Sequence, residues 1–156
     1  PTRRSSDLFL ENRLARSTIV VDGRAIALQD IRTPLFALGA ERDHIAPWRS
    51  VYKVVLYTTT DTTFVLSGGG HNSSVISPPD KAGAYYRVGL SHASDVYMDP
   101  DQWLSNTSVQ QGSWWPQWVK WLERQGSNTR NAPPPYGHPD KKITDCPAPG
   151  TYVLET

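Results

Sequence analysis

The sequence has little cysteine, no long apolar run and almost no net charge, and each shortage excludes a class of protein. The single cysteine, Cys146, excludes an internal disulfide and is typical of a reducing compartment. No apolar stretch approaches the roughly 20 residues that a membrane-spanning helix needs. A net charge of +1 gives no sign of a nucleic-acid partner. Hydrophobic residues make up 38% of the 156 residues, so the composition predicts one globular domain with a sizeable core.

Two segments near the ends of the chain differ from the rest. Residues 1–8 read Pro-Thr-Arg-Arg-Ser-Ser-Asp-Leu, which resembles a translated sequencing adaptor, and we expect this segment not to be native. The alternative is a genuine basic N-terminus. Residues 131–156 contain six of the 13 prolines, which predicts an extended Pro-rich tail packed on the same domain. Residues 9–130 then form the body of the domain, and the adaptor indicates a piece of a longer protein.

The first part of the body carries signals for a helix, a hairpin and a turn. Apolar residues recur with helical spacing over residues 9–16, which predicts a helix there. Asp22 and Gly23 lie between two short apolar runs, and this pattern predicts a β-hairpin. Asp30 is predicted to cap a single helical turn before Pro34.

A strand, a helix and a second strand are predicted next. Residues 34–39, Pro-Leu-Phe-Ala-Leu-Gly, have the length and composition of one buried strand. Pro47 suits the first turn of a helix, because its missing N–H costs nothing there. Residues 64–67 are predicted to form the next strand. This order fits one right-handed βαβ unit, so the sequence predicts an α/β fold with parallel strands.

The second half of the body gives fewer periodic signals. Residues 77–80 contain two prolines and mark a loop, and residues 81–98 show no clean period, so we expect mostly irregular structure there. A short helix is predicted over residues 100–111 and a longer one over residues 116–125, ending near Gly126. One face of the longer helix is formed by four residues: Trp118, Trp121, Leu122 and Gln125.

Asp43 and His71 are the candidate catalytic residues. Asp43 comes shortly after the first predicted parallel strand, and His71 follows the second one after three glycines. Because parallel strands end at one edge of a sheet, where active sites form, we expect both side chains at that edge. A neutral imidazole can take a proton from a nucleophile and return it to a leaving group, and an aspartate can fix its tautomer. Asp before His, late in the chain, is the order found in α/β-hydrolases.

Structural interpretations of these residues stay open at this point. His71 is also explained as a surface histidine in a loop, and Asp43 as a cap of the following helix or a partner of Arg42. His44 is expected to point elsewhere, as a structural residue or a minor contributor to the site. Two candidate ligands are too few for a catalytic zinc site. Two further histidines are interpreted as surface residues: His92 and His138.

Four sequence blocks, in order, resemble one known family. Residues 39–48 (Gly-Ala-Glu-Arg-Asp-His-Ile-Ala-Pro-Trp) and 69–72 (Gly-Gly-His-Asn) look like the C-terminal part of polyhydroxyalkanoate synthases of the PhaC type. Residues 112–118 (Gly-Ser-Trp-Trp-Pro-Gln-Trp) and 148–153 (Ala-Pro-Gly-Thr-Tyr-Val) resemble two further blocks of the family. The proportions are most similar to class I synthases. The resemblance implies that residues 9–130 are the C-terminal part of an α/β-hydrolase-type catalytic domain, with its last parallel strands and helices.

The resemblance also implies a function for the parent protein. It would be an acyltransferase that polymerises (R)-3-hydroxyacyl-CoA into polyhydroxyalkanoate and releases CoA, so CoA is part of the substrate and no separate cofactor is expected. Asp43 and His71 would belong to a Cys-His-Asp triad. The nucleophilic cysteine would lie upstream, because Cys146 follows His71 and has no Gly-x-Cys-x-Gly context. We interpret Cys146 as an incidental thiol.

The resemblance also implies the partners and the cellular location of the parent protein. Family members hold the growing polyester chain, act in the cytoplasm at granule surfaces and are commonly homodimers. Neither nucleic acid nor a transmembrane segment is expected. We expect the chain by itself to be marginally stable or to aggregate, and to have no transferase activity.

Two other functions remain open. An α/β-hydrolase esterase or depolymerase with an upstream serine would use the same Asp and His, although the blocks at 112–118 and 148–153 argue against it. A non-enzymatic module would bind granules or a partner through its Trp-rich helix. The tryptophans have two interpretations. They pack the last helix onto the sheet, which we favour, or they form a surface for the acyl chain or polyester.

Overall fold

A computed structural model of the chain describes residues 11–127, 132 and 150–155. The chain divides into two compact units, Pro1–Gln125 and Gly126–Thr156. In the second unit the described residues include one turn of 3-10 helix, Tyr152–Leu154. The predictions for residues 1–8, for most of the Pro-rich tail, and for His138 and Cys146 lie outside the described residues.

The first unit begins with the predicted hairpin. Strands β1 (Ile19–Val21) and β2 (Arg24–Ile26) pair antiparallel. Asp22 and Gly23 both have positive φ, 49° and 77°, which the two-residue turn of a twisted hairpin requires. The hairpin prediction is therefore confirmed.

Two smaller predictions in this region are wrong. Residues 13–17 form a turn rather than a helix, and Asn12 and Ser17 at its ends have positive φ, which breaks helical backbone geometry. A single 3-10 turn does form at Leu28–Asp30, but Asp30 is its last residue and does not cap it.

The strand–helix–strand prediction is confirmed. Strand β3 (Leu35–Ala40) pairs in parallel with β4 (Thr62–Ser67), with Leu35 opposite Thr62 and Ala40 opposite Ser67. Two short helices, α1 (Trp48–Tyr52) and α2 (Val54–Tyr57), connect these strands. Pro47 directly precedes the first of them.

Helix α3 (His71–Val75) follows β4 and the three glycines. His71 is therefore the first residue of a short helix, and not part of an irregular loop. The loop predicted at 77–80 lies just beyond it.

The expectation of mostly irregular structure over residues 81–98 is wrong for residues 85–91, which form a strand, whereas residues 81–84 and 92–98 contain no helix or strand. Strand β5 (Tyr85–Ser91) has seven residues and pairs antiparallel with β4 over its length. Its apolar residues Tyr86, Val88 and Leu90 alternate with Arg87 and Gly89, which is the two-residue period of a strand. That period was the available signal for β5.

Two further helices and one short strand complete the first unit. Helix α4 (Pro100–Asn106) confirms the short helix but ends before Gln110–Gln111, which form strand β6 beside β5. Asp99 caps α4 by accepting hydrogen bonds from two backbone N–H groups. Helix α5 (Trp115–Gln125) is the predicted Trp-rich helix. The sheet order is β3-β4-β5-β6.

The mixed sheet separates two apolar clusters. One cluster contains Trp48, Tyr52, Phe64, Leu66 and Trp103, from α1, β4 and α4. The other contains Val65, Tyr86 and Trp114, with Phe36 and Trp115 packed against it. Because side chains alternate along a strand, β4 contributes to both clusters. Its C-terminal end, which leads to His71, is therefore anchored on both faces of the sheet. Within the described residues, no helix has the length and apolar character needed to cross a membrane.

Candidate functional site

Asp43 and His71 meet at the edge of the sheet where the two parallel strands end. Asp43 lies three residues after β3, and His71 lies four residues after β4. The Nδ1 atom of His71 is 2.7 Å from the Oδ2 atom of Asp43. A carboxylate at this distance from Nδ1 favours the tautomer that carries its proton on Nδ1. The juxtaposition expected from the sequence is therefore present.

The second oxygen of Asp43 holds the turn that leads to α1. Oδ1 accepts hydrogen bonds from the backbone N–H of Ile45 at 2.8 Å and of Ala46 at 2.9 Å. The hydrogen bond from Ala46 is the largest influence, and with His71 and Ile45 it lowers the pKa of Asp43 to about 2, against the opposing effect of desolvation. Asp43 thus holds the turn before α1 and pairs with His71, but it does not cap α1, whose N-cap residue is Pro47 and receives no side-chain hydrogen bond. No ion pair joins Asp43 to Arg42 within the described residues.

His71 presents its other nitrogen to solvent. The His71 side chain is 45% exposed, whereas the Asp43 side chain is only 7% exposed. No hydrogen-bond partner of Nε2 is found among the described residues. An imidazole held at Nδ1 and open at Nε2 has the arrangement of a general base that is oriented by a carboxylate.

The glycines before His71 are needed at two of their three positions. A Cβ atom on Gly68 would lie 2.4 Å from Cζ of Tyr85, and Gly69 has a φ of +116° that L-residues rarely adopt. The third, Gly70, has room for a side chain, since the nearest atom to a Cβ there is 3.9 Å away. The close packing of Tyr85 and the turn at Gly69 together direct the chain into α3.

Backbone hydrogen bonds join the two loops that carry Asp43 and His71. The N–H of Glu41 donates to Ser67 and the N–H of Arg42 donates to Gly69, both at 2.9 Å. The Tyr85 hydroxyl donates to Glu41 at 2.6 Å, and this bond is the main reason why the pKa of Tyr85 is raised. The loops therefore form one connected edge.

The other candidate histidines lie apart from this pair. His44 is exposed and takes part in none of the three side-chain hydrogen bonds of Asp43. His92 is exposed as expected, but its Nδ1 lies 3.3 Å from Asp61, which precedes β4 at the opposite end of the sheet. No group of three or more His, Cys, Asp or Glu side chains in the described residues is placed to hold a metal ion.

Two tryptophans contact the histidine-bearing helix in a way that the sequence did not indicate. The indole N–H of Trp114 donates to the carbonyl of Ser74 at 2.8 Å, and that of Trp115 donates to Val75 at 3.0 Å. The Gly-Ser-Trp-Trp block is the sequence signal for these contacts, although its composition by itself indicates only packing or an apolar surface.

The class of protein follows from the fold and this edge. A mixed α/β sheet carries a hydrogen-bonded Asp and His where its parallel strands end, as in enzymes that activate a nucleophile through an oriented imidazole. The described residues place no cysteine beside the pair, and Cys146 lies outside them.

Comparison with known proteins gives a particular family. The chain is 35% identical over 147 residues to the poly(3-hydroxyalkanoate) polymerase subunit PhaC of Rhizobium etli, covering 94% of the chain and 22% of the relative. It is 38% identical over 157 residues to poly(3-hydroxyalkanoate) polymerase 2 of Ectopseudomonas oleovorans, covering 95% and 26%. It is 34% identical over 148 residues to the PhaC subunit of Cupriavidus necator, covering 93% and 24%.

The predicted resemblance to polyhydroxyalkanoate synthases is therefore confirmed over nearly the whole chain. The chain spans about a quarter of the length of the curated relatives that it matches, between 22% and 26%. No model of a known protein family matches the chain.

Proposed function

We propose that this chain is the C-terminal part of the catalytic domain of a polyhydroxyalkanoate synthase, with an α/β-hydrolase fold. Asp43 and His71 would be two members of a Cys-His-Asp triad whose cysteine lies upstream. The observation that carries the proposal is the 2.7 Å hydrogen bond between His71 Nδ1 and Asp43 Oδ2. It is supported by the similarity of the surrounding chain to proteins named poly(3-hydroxyalkanoate) polymerase.

The chemistry proposed for the full-length protein is acyl transfer in two steps. Nε2 of His71 takes the proton of the cysteine thiol, and the thiolate attacks the thioester carbonyl of (R)-3-hydroxyacyl-CoA. The C–S bond to CoA breaks, and the CoA sulfur leaves with the proton from the imidazolium. The 3-hydroxyl of a second acyl group then loses its proton to the same imidazole and attacks the enzyme thioester. The ester bond forms, the C–S bond to the cysteine breaks, and the imidazolium returns its proton to the cysteine sulfur.

Asp43 supports both steps without reacting itself. Its Oδ2 keeps the Nδ1–H tautomer and stabilises the imidazolium that forms in each step. The lowered pKa of Asp43, about 2, keeps it ionised throughout the neutral range. The substrates would be the acyl-CoA and the growing polyester chain, and the protein would act in the cytoplasm at granule surfaces, as a homodimer.

The proposal is tested by grafting residues 9–156 into the PhaC subunit of Rhizobium etli in place of the matching segment. We expect the chimera to release CoA from (R)-3-hydroxybutyryl-CoA and to form polymer. His71→Gln should abolish both activities. The matched control is His92→Gln, which removes the other histidine that contacts an aspartate and should leave activity unchanged.

Two outcomes would contradict the proposal. One is an active chimera that tolerates His71→Gln. The other comes from the DNA upstream of Phe9 in the source material. A Gly-x-Cys-x-Gly motif after an apolar strand supports a synthase, whereas a serine at the centre of that motif would indicate an esterase or depolymerase. A non-enzymatic granule-binding or partner-binding role would be indicated if neither motif is found.

A further inference from the structure

We propose that Trp114, Trp115 and Lys81 are positioning residues for His71, acting through hydrogen bonds to backbone carbonyls at the C-terminal end of α3. The catalytic meaning of this inference rests on the proposed function. The placement of the imidazole that it describes can be measured without activity.

Helix α3 is too short and too exposed to be held by its own interactions. It has five residues, and the only one of them that is buried is Ser74. Val75 is exposed, and so is Ile76 just beyond it. Isolated helices of this length are unstable in water, and burial of an apolar face normally stabilises them in proteins. Since α3 has no such face, other contacts must fix it.

Those contacts are side-chain hydrogen bonds to five consecutive carbonyls. The last carbonyls of a helix have no partner within it. Here the Lys81 ammonium donates to Ser73 and Ile76, the Trp114 indole to Ser74, the Trp115 indole to Val75, and the Ser113 hydroxyl to Ser77. The positive charge of Lys81 also lies at the end of the helix where cations are favourable.

Two serine hydroxyls attach α3 to the sheet. The hydroxyl of Ser74 donates to the carbonyl of Gly68 at 3.1 Å, and the hydroxyl of Ser67 donates to the carbonyl of Ser74 at 3.3 Å. The Trp114 indole therefore shares its acceptor with the last residue of β4. Polar contacts thus connect α3 both to the end of β4 and to the start of α5.

The local structure of the Gly-Ser-Trp-Trp block, residues 112–115, positions the Ser113 hydroxyl and the two indole N–H groups. Gly112 has a φ of +97° and donates its N–H to Ala84 at 2.7 Å, which turns the chain away from β6. The Ser113 hydroxyl accepts from the N–H of Trp115 at 3.0 Å, which fixes the start of α5. Packing of Trp114 against Phe36 and Trp118 then holds the first indole in place.

This arrangement matters for His71 because the imidazole moves with the helix. Its Nδ1 must stay within hydrogen-bond distance of Asp43, which belongs to a different loop. A displacement of about 1 Å in a catalytic group can reduce a rate by roughly 100-fold. Loss of the donors should therefore affect the histidine more than the stability of the whole domain.

The test uses the chimera described above, in which the sheet and core are completed. Hydrogen exchange is followed by mass spectrometry, and His71 is followed by NMR after selective ¹⁵N-histidine labelling. We expect Trp114→Phe, Trp115→Phe and Lys81→Met each to increase hydrogen exchange in the peptide that contains the Ser74 and Ile76 amides by roughly 5–10-fold. The population of His71 with a hydrogen-bonded Nδ1–H should fall in the same variants. Lys81→Arg, which keeps a charged donor, should restore both signals.

The matched control is Trp121→Phe. Trp121 lies on the same helix and packs against Phe36 at 5.6 Å, so its substitution should lower stability without changing the exchange of α3 or the tautomer of His71. Trp114→Phe could unfold the chain, which faster exchange of the buried β4 amides would show. In that case the inference is tested by the exchange of α3 and the state of His71 in Trp115→Phe and Lys81→Met.

Three results would overturn the inference. The first is that the α3 amides and His71 are unchanged when the donors are removed. The second is that Trp121→Phe changes them equally. The third is that NMR of the wild-type protein shows no hydrogen-bonded Nδ1–H on His71. That result would mean that His71 and Asp43 are not hydrogen-bonded. A chimera that makes no polymer while the NMR responses hold would instead contradict only the proposed function.

Discussion

At the scale of single residues, Asp43 uses its two carboxylate oxygens for different tasks. Oδ1 organises the turn before α1 through two backbone N–H groups, and Oδ2 holds His71. The structural and catalytic interpretations are therefore not alternatives. The position of the turn and the position of the imidazole depend on the same side chain.

Asp43→Asn should separate these tasks in the chimeric enzyme. The amide oxygen can still accept the backbone bonds, but the amide nitrogen would donate toward Nδ1 and favour the wrong imidazole tautomer. We expect CoA release to fall by about 10³–10⁴-fold in a chimera that still folds. Asp61→Asn, at the other His–Asp contact, serves as the control and should leave CoA release unchanged. An active Asp43→Asn chimera would contradict the assignment of Asp43.

The pKa of Asp43 also predicts how stability depends on pH. Its pKa is lowered from 3.8 to about 2 on folding, so the ionised carboxylate stabilises the folded state above pH 4 or so. This contribution is lost as the pH falls from about 4 through about 2. The melting temperature of the chimeric enzyme should therefore fall more steeply over this range than that of its Asp43→Asn variant.

Circular dichroism melts at closely spaced pH values measure this difference. Asp22→Asn is a suitable control, because Asp22 is an exposed residue of the hairpin turn where asparagine is well tolerated. Its melting curve should follow that of the wild type. If the melting temperatures of wild type and Asp43→Asn change in parallel with pH, the ionised Asp43 carboxylate does not contribute to the stability of the folded state.

At the scale of secondary-structure elements, the sequence predicts the strands and turns that are determined by neighbouring residues. The hairpin at Asp22-Gly23 and strands β3 and β4 follow from turn residues and apolar runs, and these place Asp43 and His71 at one edge. Helix α3 could not be predicted, because its residues show no apolar period and its stability comes from side chains distant in the sequence. Strand β5 carries a period of two, but it is short and is interrupted by Gly89, so it is a weaker signal than the apolar runs of β3 and β4.

The loop between β4 and α3 offers a test at this scale. Gly68→Ala would place a Cβ atom 2.4 Å from the ring of Tyr85, so the ring must move, and we expect a loss of about 1–3 kcal/mol in the free energy of unfolding. Gly70→Ala meets nothing closer than 3.9 Å and has a φ of −95°. It should be neutral or stabilise by about 0.4–1 kcal/mol.

A double-mutant cycle identifies the cause of the Gly68 effect. If the clash with the ring is responsible, Gly68→Ala should lower the free energy of unfolding much less in a Tyr85→Ala background, as measured by urea unfolding of the chimera. An undiminished cost in that background would show that the backbone of Gly68, and not the contact with Tyr85, demands glycine.

At the scale of the whole molecule, the first unit leaves much apolar and strand surface uncovered. Among the described strands, β3 pairs only with β4, so the other side of β3 is open to pairing. Large apolar residues are exposed on α5 as well, including Trp118, Val119 and Leu122. These features are expected of a piece that completes a larger sheet and core.

We therefore expect the purified chain to self-associate. Sedimentation velocity at several concentrations should show an average mass that rises with concentration, because open strand edges and apolar surface promote association. Thermal unfolding should be broad. A concentration-independent monomer with a sharp two-state melt would contradict this expectation and favour a self-contained binding module.

The chain by itself should also fail to turn over substrate. Asp43 and His71 can orient and transfer a proton, but neither supplies the thiolate that attacks the thioester, and acyl transfer through a covalent intermediate requires that group. Purified chain mixed with (R)-3-hydroxybutyryl-CoA should release no CoA above the buffer rate, as followed with a thiol reagent. CoA release that survives Cys146→Ala but not His71→Gln would mean that another residue of this chain acts as the nucleophile. Release abolished by Cys146→Ala would instead assign that role to Cys146, which the order of Asp, His and Cys along the chain argues against.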